Sequence, residues 1–266
     1  VQQLARSEAV NTRIQFEEEL KTSRFLLGMP SPDSHELEEG VSFVRRALDR
    51  YHVLDNPVWT APSTQTRSVS GGPRSRFGFV SHPEMQEASR DRLRADVSEL
   101  LLLLARGERL QADAADDSSS RTEHLEQALR WNAFAEACDV NRQNHRAVLL
   151  QHALLLEKTG HADEARDLMA DGESTPPQSA RELYQAAMER MGAGDFRHAW
   201  RLLRDARRLA PQAAFASFAL GVCHSELSNH EKALAAFDTS IALRPKFHGS
   251  YHQRGRAHFE MHEYAE

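Results

Sequence analysis

The chain has 266 residues, 40% hydrophobic and 27% charged with Gly 13 and Pro 10, which suits one extended folded domain or two compact ones. A formal net charge of -6 offers no basic excess for counterion release, which argues against nucleic acid as the main partner. The longest apolar run, Leu100 to Ala105, is far below the roughly 18–20 residues of a membrane span, and no secretory signal is visible in the sequence.

In chain order, Ala5 to Leu27 carries a long, charged amphipathic helix pattern that stops at the turn Gly28-Met29-Pro30-Ser31-Pro32. Ser34 to Tyr51 reads as a second helix, with Ser34 as its cap and Glu36 to Glu39 at the end where acidic groups favour the helix dipole. These two make an N-terminal helical hairpin over residues 1–54. Residues 55–80, rich in Pro, Gly, Ser and Thr, read as a flexible loop or linker. Helix resumes near Pro83 and runs through the leucine cluster to about Gln111; after the turn Asp113 to Ser120 a helix spans His124 to Cys138, giving a helix pair within 81–145. Cys138 and Cys223 lie within helical apolar patterns and read as buried small hydrophobes.

From residue 146 the sequence becomes periodic. Pro177, Pro211 and Pro245 each stand 34 residues after the last, and so do Ala165, Ala199 and Ala233. Gly221 and Gly255 keep the same step, following Ala153 and Ala187, and Gly160 and Gly194 are followed by Ser228 and His262. Small residues let two helices of a pair approach, and a larger side chain at the alanine crossing costs about 1–3 kcal/mol by overpacking. Gly160 and Gly194 suit left-handed helix ends, prolines stop the second helices, and Leu203 and Phe237 fill the space between. Repeats therefore span 146–179, 180–213 and 214–247, with a truncated one over 248–266.

With Leu220-Gly221, Ala233, Phe237 and Pro245 in this register, the stretch 146–266 resembles the tetratricopeptide repeat (TPR), two helices per 34 residues, with His224 in place of the usual tyrosine. The resemblance implies an all-α fold, a right-handed TPR superhelix, in which the two earlier helix pairs are degenerate capping hairpins. A separate N-terminal helical domain is the alternative. Three further segments resemble the region that follows the kinase domain in bacterial serine/threonine kinase–TPR fusion proteins: Phe16 to Leu20 with Phe25-Leu26-Leu27, Arg46 through Asp55-Asn56-Pro57-Val58-Trp59, and Asp96 to Glu99 with Leu104-Ala105-Arg106. The chain opens at Val1 and stops at Glu266 inside amphipathic patterns, so it reads as a piece of a longer protein in which a kinase domain, and often a membrane helix, would lie upstream.

The sequence shows no glycine-rich nucleotide loop, His-Arg-Asp loop or Asp-Phe-Gly motif, no Walker loop and no local nucleophile motif, so no catalytic residue, cofactor or metal site is expected. His248 and His252 share a helical face, as do His258 and His262, but the glutamate of a zincin is missing, and His224 and His258 sit at a repeat position used for helix packing. The expected function is therefore non-covalent. In the resembled superhelix the first helix of each repeat lines a concave groove, which places Leu150, Leu154, Tyr184, Met188, Phe218, Val222, His252 and Arg256 there, with Arg181, Gln151, Gln185 and Gln253 nearby. The lysines and asparagines of a chaperone carboxylate clamp are absent. Apolar anchors of this kind fit a helix or an extended apolar peptide from a protein partner. Self-association, with the stripe covered by the protein itself or by another copy, is the rival expectation. A soluble, cytoplasmic segment is expected, with tethering by an upstream membrane helix left open.

Overall fold

The computed structural model describes residues 2–28, 32, 34–54, 87–139, 141–177 and 179–263. Among them are eleven helices and no strand: α1 (Gln2–Gly28), α2 (Ser34–Asp49), α3 (Glu87–Ala114), α4 (Ser118–Cys138), α5 (His145–Lys158), α6 (Ala162–Ser174), α7 (Ala180–Gly192), α8 (Phe196–Leu209), α9 (Ala214–Glu226), α10 (His230–Leu243) and α11 (His248–Glu263). The expected loop 55–80 and the helix start near Pro83 lie outside the described residues. Neighbouring helices pack in pairs, as an α-solenoid requires. No helix among the described residues is long and apolar enough to cross a membrane. Contacts divide the chain into two compact units, Val1–Leu27 with Pro32–Pro176, and Pro177–Glu266 with Gly28–Ser31.

The first unit is organised around α3. Its run Leu100–Leu104 is buried throughout, because α1, α2, α4 and α5 all contribute to the surrounding core: Phe16, Leu20 and Leu27, then Val44 and Leu48, then Ala135, then Ala147 and Val148. Buried amides tie three helices together. Asn144 Nδ2 donates to the Ala95 carbonyl at 3.0 Å, Gln151 Nε2 to the Leu102 carbonyl at 2.9 Å, and Asn132 Nδ2 to Gln151 Oε1 at 3.0 Å. Leu155 of α5 packs with Ala105, Ala112, Leu125 and Ala128, so the repeat 146–179 sits in this unit and the compact boundary falls one repeat beyond the onset of the period.

Helix α4 starts six residues before the expected His124. The Ser-rich stretch reads as a turn, but Asp117 accepts a hydrogen bond from the Ser120 N–H at 2.7 Å and caps the helix, taking Ser118 to Ser120 into its first turn. Arg121 closes the preceding turn by donating to the carbonyls of Ala112 and Ala115.

The second unit carries the period in three dimensions. Helices α8 and α10 begin 34 residues apart at Phe196 and His230, and α7, α9 and α11 begin at Ala180, Ala214 and His248. Each first helix ends in one hydrogen-bonded turn. Asp195 N–H reaches the Arg190 carbonyl at 2.8 Å and Asn229 N–H reaches the His224 carbonyl at 2.8 Å; in the first unit His161 N–H reaches the Leu156 carbonyl at 2.9 Å. This six-to-one closure needs a left-handed residue at its centre. Gly160 (φ 88) and Gly194 (φ 76) supply it, and Ser228 adopts it at φ 57. A side chain in that region costs about 1–2 kcal/mol, so Ser228→Gly is expected to raise stability by about 1 kcal/mol, read as a higher urea midpoint at unchanged m-value. At His262, where the period places a fourth such turn, α11 is still helical.

The second helices end as proline dictates: α8 stops at Leu209 before Pro211, and α10 at Leu243 before Pro245. Ala199, Ala233, Leu203 and Phe237 are fully buried, and Gly221 lies so close to Phe237 that a Cβ there would come within 2.4 Å of the ring. A buried hydroxyl pair, Ser240 and Ser250 at 2.9 Å, joins α10 to α11.

Candidate functional site

The residues expected to line a groove divide into buried and accessible sets. In the first unit, Leu150 is buried against the α6 backbone, where a Cβ on Gly172 would lie 2.6 Å from its side chain, and Leu154 of α5 is half-buried. Gln151, expected beside the groove, spends its amide on Leu102 and Asn132 inside the core.

In the second unit, Tyr184 and Met188 of α7 and Phe218 of α9 are interior. Tyr184 meets Phe215 edge-on with centroids 4.5 Å apart, and Met188 belongs to the core with Ala187, Leu203 and Leu220. Phe218 is 5% exposed, with its ring 5.1 Å from Phe247 and 6.0 Å from Phe237. Phe218→Glu, a surface change on the groove reading, would place a carboxylate between these rings. Accessible positions remain in the same helices: Arg181 and Gln185 of α7 and Val222 of α9 are half-buried, and His252 and Arg256 of α11 are exposed. Gln185 Oε1 is buried and accepts no hydrogen bond among the described residues. Arg256 donates to Glu226 at 2.8 Å and to Glu260 at 2.9 Å, and these bonds, Glu226 foremost, raise its pKa. In so exposed a pair the gain in stability is small.

His224 is half-buried, with its ring 6.3 Å from the Trp200 ring. Burial, followed by the charges of Lys232 and Arg207, lowers its pKa below the ordinary histidine value. The fold therefore favours the neutral ring. As pH falls below about 6.5 the unfolded chain takes up this proton first, and stability falls with it. His224→Gln is expected to flatten the loss of thermal stability between about pH 6.5 and pH 5; an unchanged slope would place the acid sensitivity elsewhere. His258, 34 residues on, is exposed and shares none of this packing.

Cys138 and Cys223 are fully buried, and burial pushes both thiols up to about 12, far from a reactive thiolate. No cluster of three or more His, Cys, Asp and Glu able to hold a metal occurs among the described residues.

Two features escape a reading by period. In the first unit, buried carboxylates pair with arginines from distant segments: Glu99 with Arg24 at 2.8 and 2.6 Å, Glu19 with Arg50 at 2.7 and 2.8 Å, and Asp96 with Arg13 at 2.9 Å. Glu108 takes both Arg45, at 3.0 Å, and the His124 ring, at 2.8 Å, joining α2, α3 and α4. The only sequence signal is an acid inside an apolar run. In the second unit, α8 turns five arginines outward. Comparison of the sequence with protein-family models gave no match, and comparison with curated proteins gave none.

Proposed function

We propose that this chain is a TPR-type solenoid, wound as a right-handed superhelix, that serves as a non-catalytic protein-binding scaffold. The observation that carries this reading is the recurrence of one turn, left-handed at Gly160, Gly194 and Ser228, at 34-residue steps, each followed by a second helix. Stacked helix pairs present an extended, side-chain-lined surface with little chemistry of its own, which is the property of a scaffold. In the second unit a partner peptide would pack an apolar side chain on Val222 and meet Arg181, His252 and Arg256 at the rim.

The test is selection of displayed peptides against the chain, followed by affinity measurement on Val222→Arg and Arg256→Glu. Both are expected to weaken a selected peptide by about tenfold or more with far-UV circular dichroism unchanged. Failure to enrich any peptide, or peptides indifferent to both substitutions, would overturn the surface assignment. The proposal extends to the parent protein, in which these repeats would form the TPR region of a bacterial serine/threonine kinase. Sequencing the gene upstream of Val1 decides this: a kinase domain followed by an apolar span of about 20 residues supports it. Further repeats, or a short leader alone, would remove the signalling role and leave a free-standing adaptor.

One observation favours a second reading, self-association. On α11, Phe259 is 63% exposed and Tyr251 41% exposed, whereas Ser225 and Ser217, 34 residues earlier on α9, are buried, so this face has the place of a covered one and a second copy would supply the cover. Light scattering over a concentration series separates the readings, since mass that rises with concentration in the wild type and stays monomeric in Phe259→Arg would assign this face to a second copy.

A further inference from the structure

We propose that the outward face of α8 is a second docking surface, for an acidic polypeptide segment that presents carboxylates every three or four residues. Arg197, Arg201, Arg204 and Arg208 follow one another at i, i+4, i+7 and i+11, which places them in a single stripe about 16 Å long at about 1.5 Å per residue, with Arg207 at its flank. All five are exposed. Arg204 pairs with the adjacent Asp205 at 3.1 Å and lies over the Trp200 ring at 5.4 Å; Arg197, Arg201, Arg207 and Arg208 have no carboxylate within 4 Å among the described residues.

The fold does not ask for this stripe. At the four equivalent positions α6 carries Asp163, Asp167, Ala170 and Ser174, and α10 carries Glu231, Ala235, Asp238 and Ala242, with the same starts and the same buried alanines Ala165, Ala199 and Ala233. Like charges three and four residues apart destabilise a helix. Asp205 compensates Arg204, and the helix dipole favours Arg207 and Arg208 in the last turn, but Arg197 and Arg201 have neither, and an uncompensated local departure of this kind is what a binding surface looks like.

The chemistry selects the partner. The apolar side of α8, Ala199, Leu203 and Ala206, is buried in the protein core, and the exposed Leu209 at the end of the helix is a single side chain, too little apolar surface to hold a helix in a bilayer. The chain as a whole is acidic, at -6, and Trp200 beside the stripe is half-buried with Arg204 over its ring, which leaves little aromatic surface on which a nucleic-acid base could stack. A helix with glutamates at the same spacing matches the stripe residue for residue, and each guanidinium fork can take a carboxylate through two hydrogen bonds.

The test uses the whole chain and a fluorescein-labelled helical peptide of Ala, Gln and Glu with glutamates at i, i+4, i+7 and i+11, read by anisotropy. A single-stranded oligonucleotide of equal charge and phosphatidylserine vesicles run in parallel. Peptide binding is expected to weaken about tenfold in Arg197→Gln/Arg201→Gln, more in Arg197→Glu/Arg201→Glu, and to fade as salt rises. Arg130→Gln on α4, equally exposed, should leave it unchanged, as should the Val222 and Arg256 variants that test the other surface. Should the glutamate variant lose helicity, the glutamine variant carries the result. Undiminished binding in Arg197→Gln/Arg201→Gln, no binding of the acidic peptide, or tighter arginine-dependent binding of the oligonucleotide or the vesicles would each overturn the proposal.

Discussion

Phe237→Ala is expected to lower the unfolding free energy by about 3–5 kcal/mol. The ring is wholly buried in α10, it approaches Phe218, and it presses against the α9 backbone at Gly221. Its removal leaves a cavity between two helices whose separation is set by the ring, and α9 has little freedom to collapse into it while Phe247 holds Phe218 from the other side. The reciprocal change tests the same contact. Gly221→Ala gains helix propensity worth about 1 kcal/mol but sets a methyl group 2.4–2.8 Å from three ring atoms, and a net loss of about 1–3 kcal/mol is expected. At Gly255, which occupies the equivalent position 34 residues on, nothing among the described residues lies within 4 Å of an added Cβ, so Gly255→Ala keeps only the propensity gain and should stabilise this chain by up to about 1 kcal/mol. Urea unfolding followed by far-UV circular dichroism reads all three. A Phe237→Ala loss below about 1 kcal/mol, or a stabilising Gly221→Ala, would mean that α9 and α10 do not pack as described.

What the sequence disclosed was local and repeated. Gly160, Gly194, Pro211 and Pro245 punctuate the chain through backbone chemistry that acts within a few residues, and the helix ends fall where they direct. The capped start of α4 was harder, because Ser118 to Ser120 are as suited to a turn as to a first helical turn, and only the Asp117 bond decides between them. Groove residues show a different limit. A repeat position says which face of a helix a side chain stands on, but not what covers that face. Tyr184 and Phe218 are closed off by Phe215 and Phe247, neither of which belongs to the period that singled out the pair. The buried ion pairs of the first unit were illegible for a related reason, since Arg24 and Glu99 are separated by 75 residues and no local pattern couples them.

That last pair carries the other large expected effect. Arg24→Ala is expected to destabilise the first unit by about 3–5 kcal/mol, more than the loss of a surface bridge, because it takes both guanidinium bonds from a buried carboxylate. The Glu99 side chain is 4% exposed and takes both branches of the Arg24 fork, at 2.8 and 2.6 Å, where α1 crosses α3. Desolvating the two ions offsets much of their attraction, so the pair as a whole adds little to stability even though breaking it is costly. Arg24→Met/Glu99→Leu, which keeps the volume and removes both charges, should therefore recover most of what Arg24→Ala loses. Arg24→Lys should fall between them, because an ammonium offers no second parallel bond. A double-mutant cycle in urea, repeated at high salt, makes the distinction. A buried pair is poorly screened and its coupling should survive the salt, whereas a coupling that vanishes, or a double variant no more stable than Arg24→Ala, would show that Glu99 is solvated and that this pair does not hold α1 to α3.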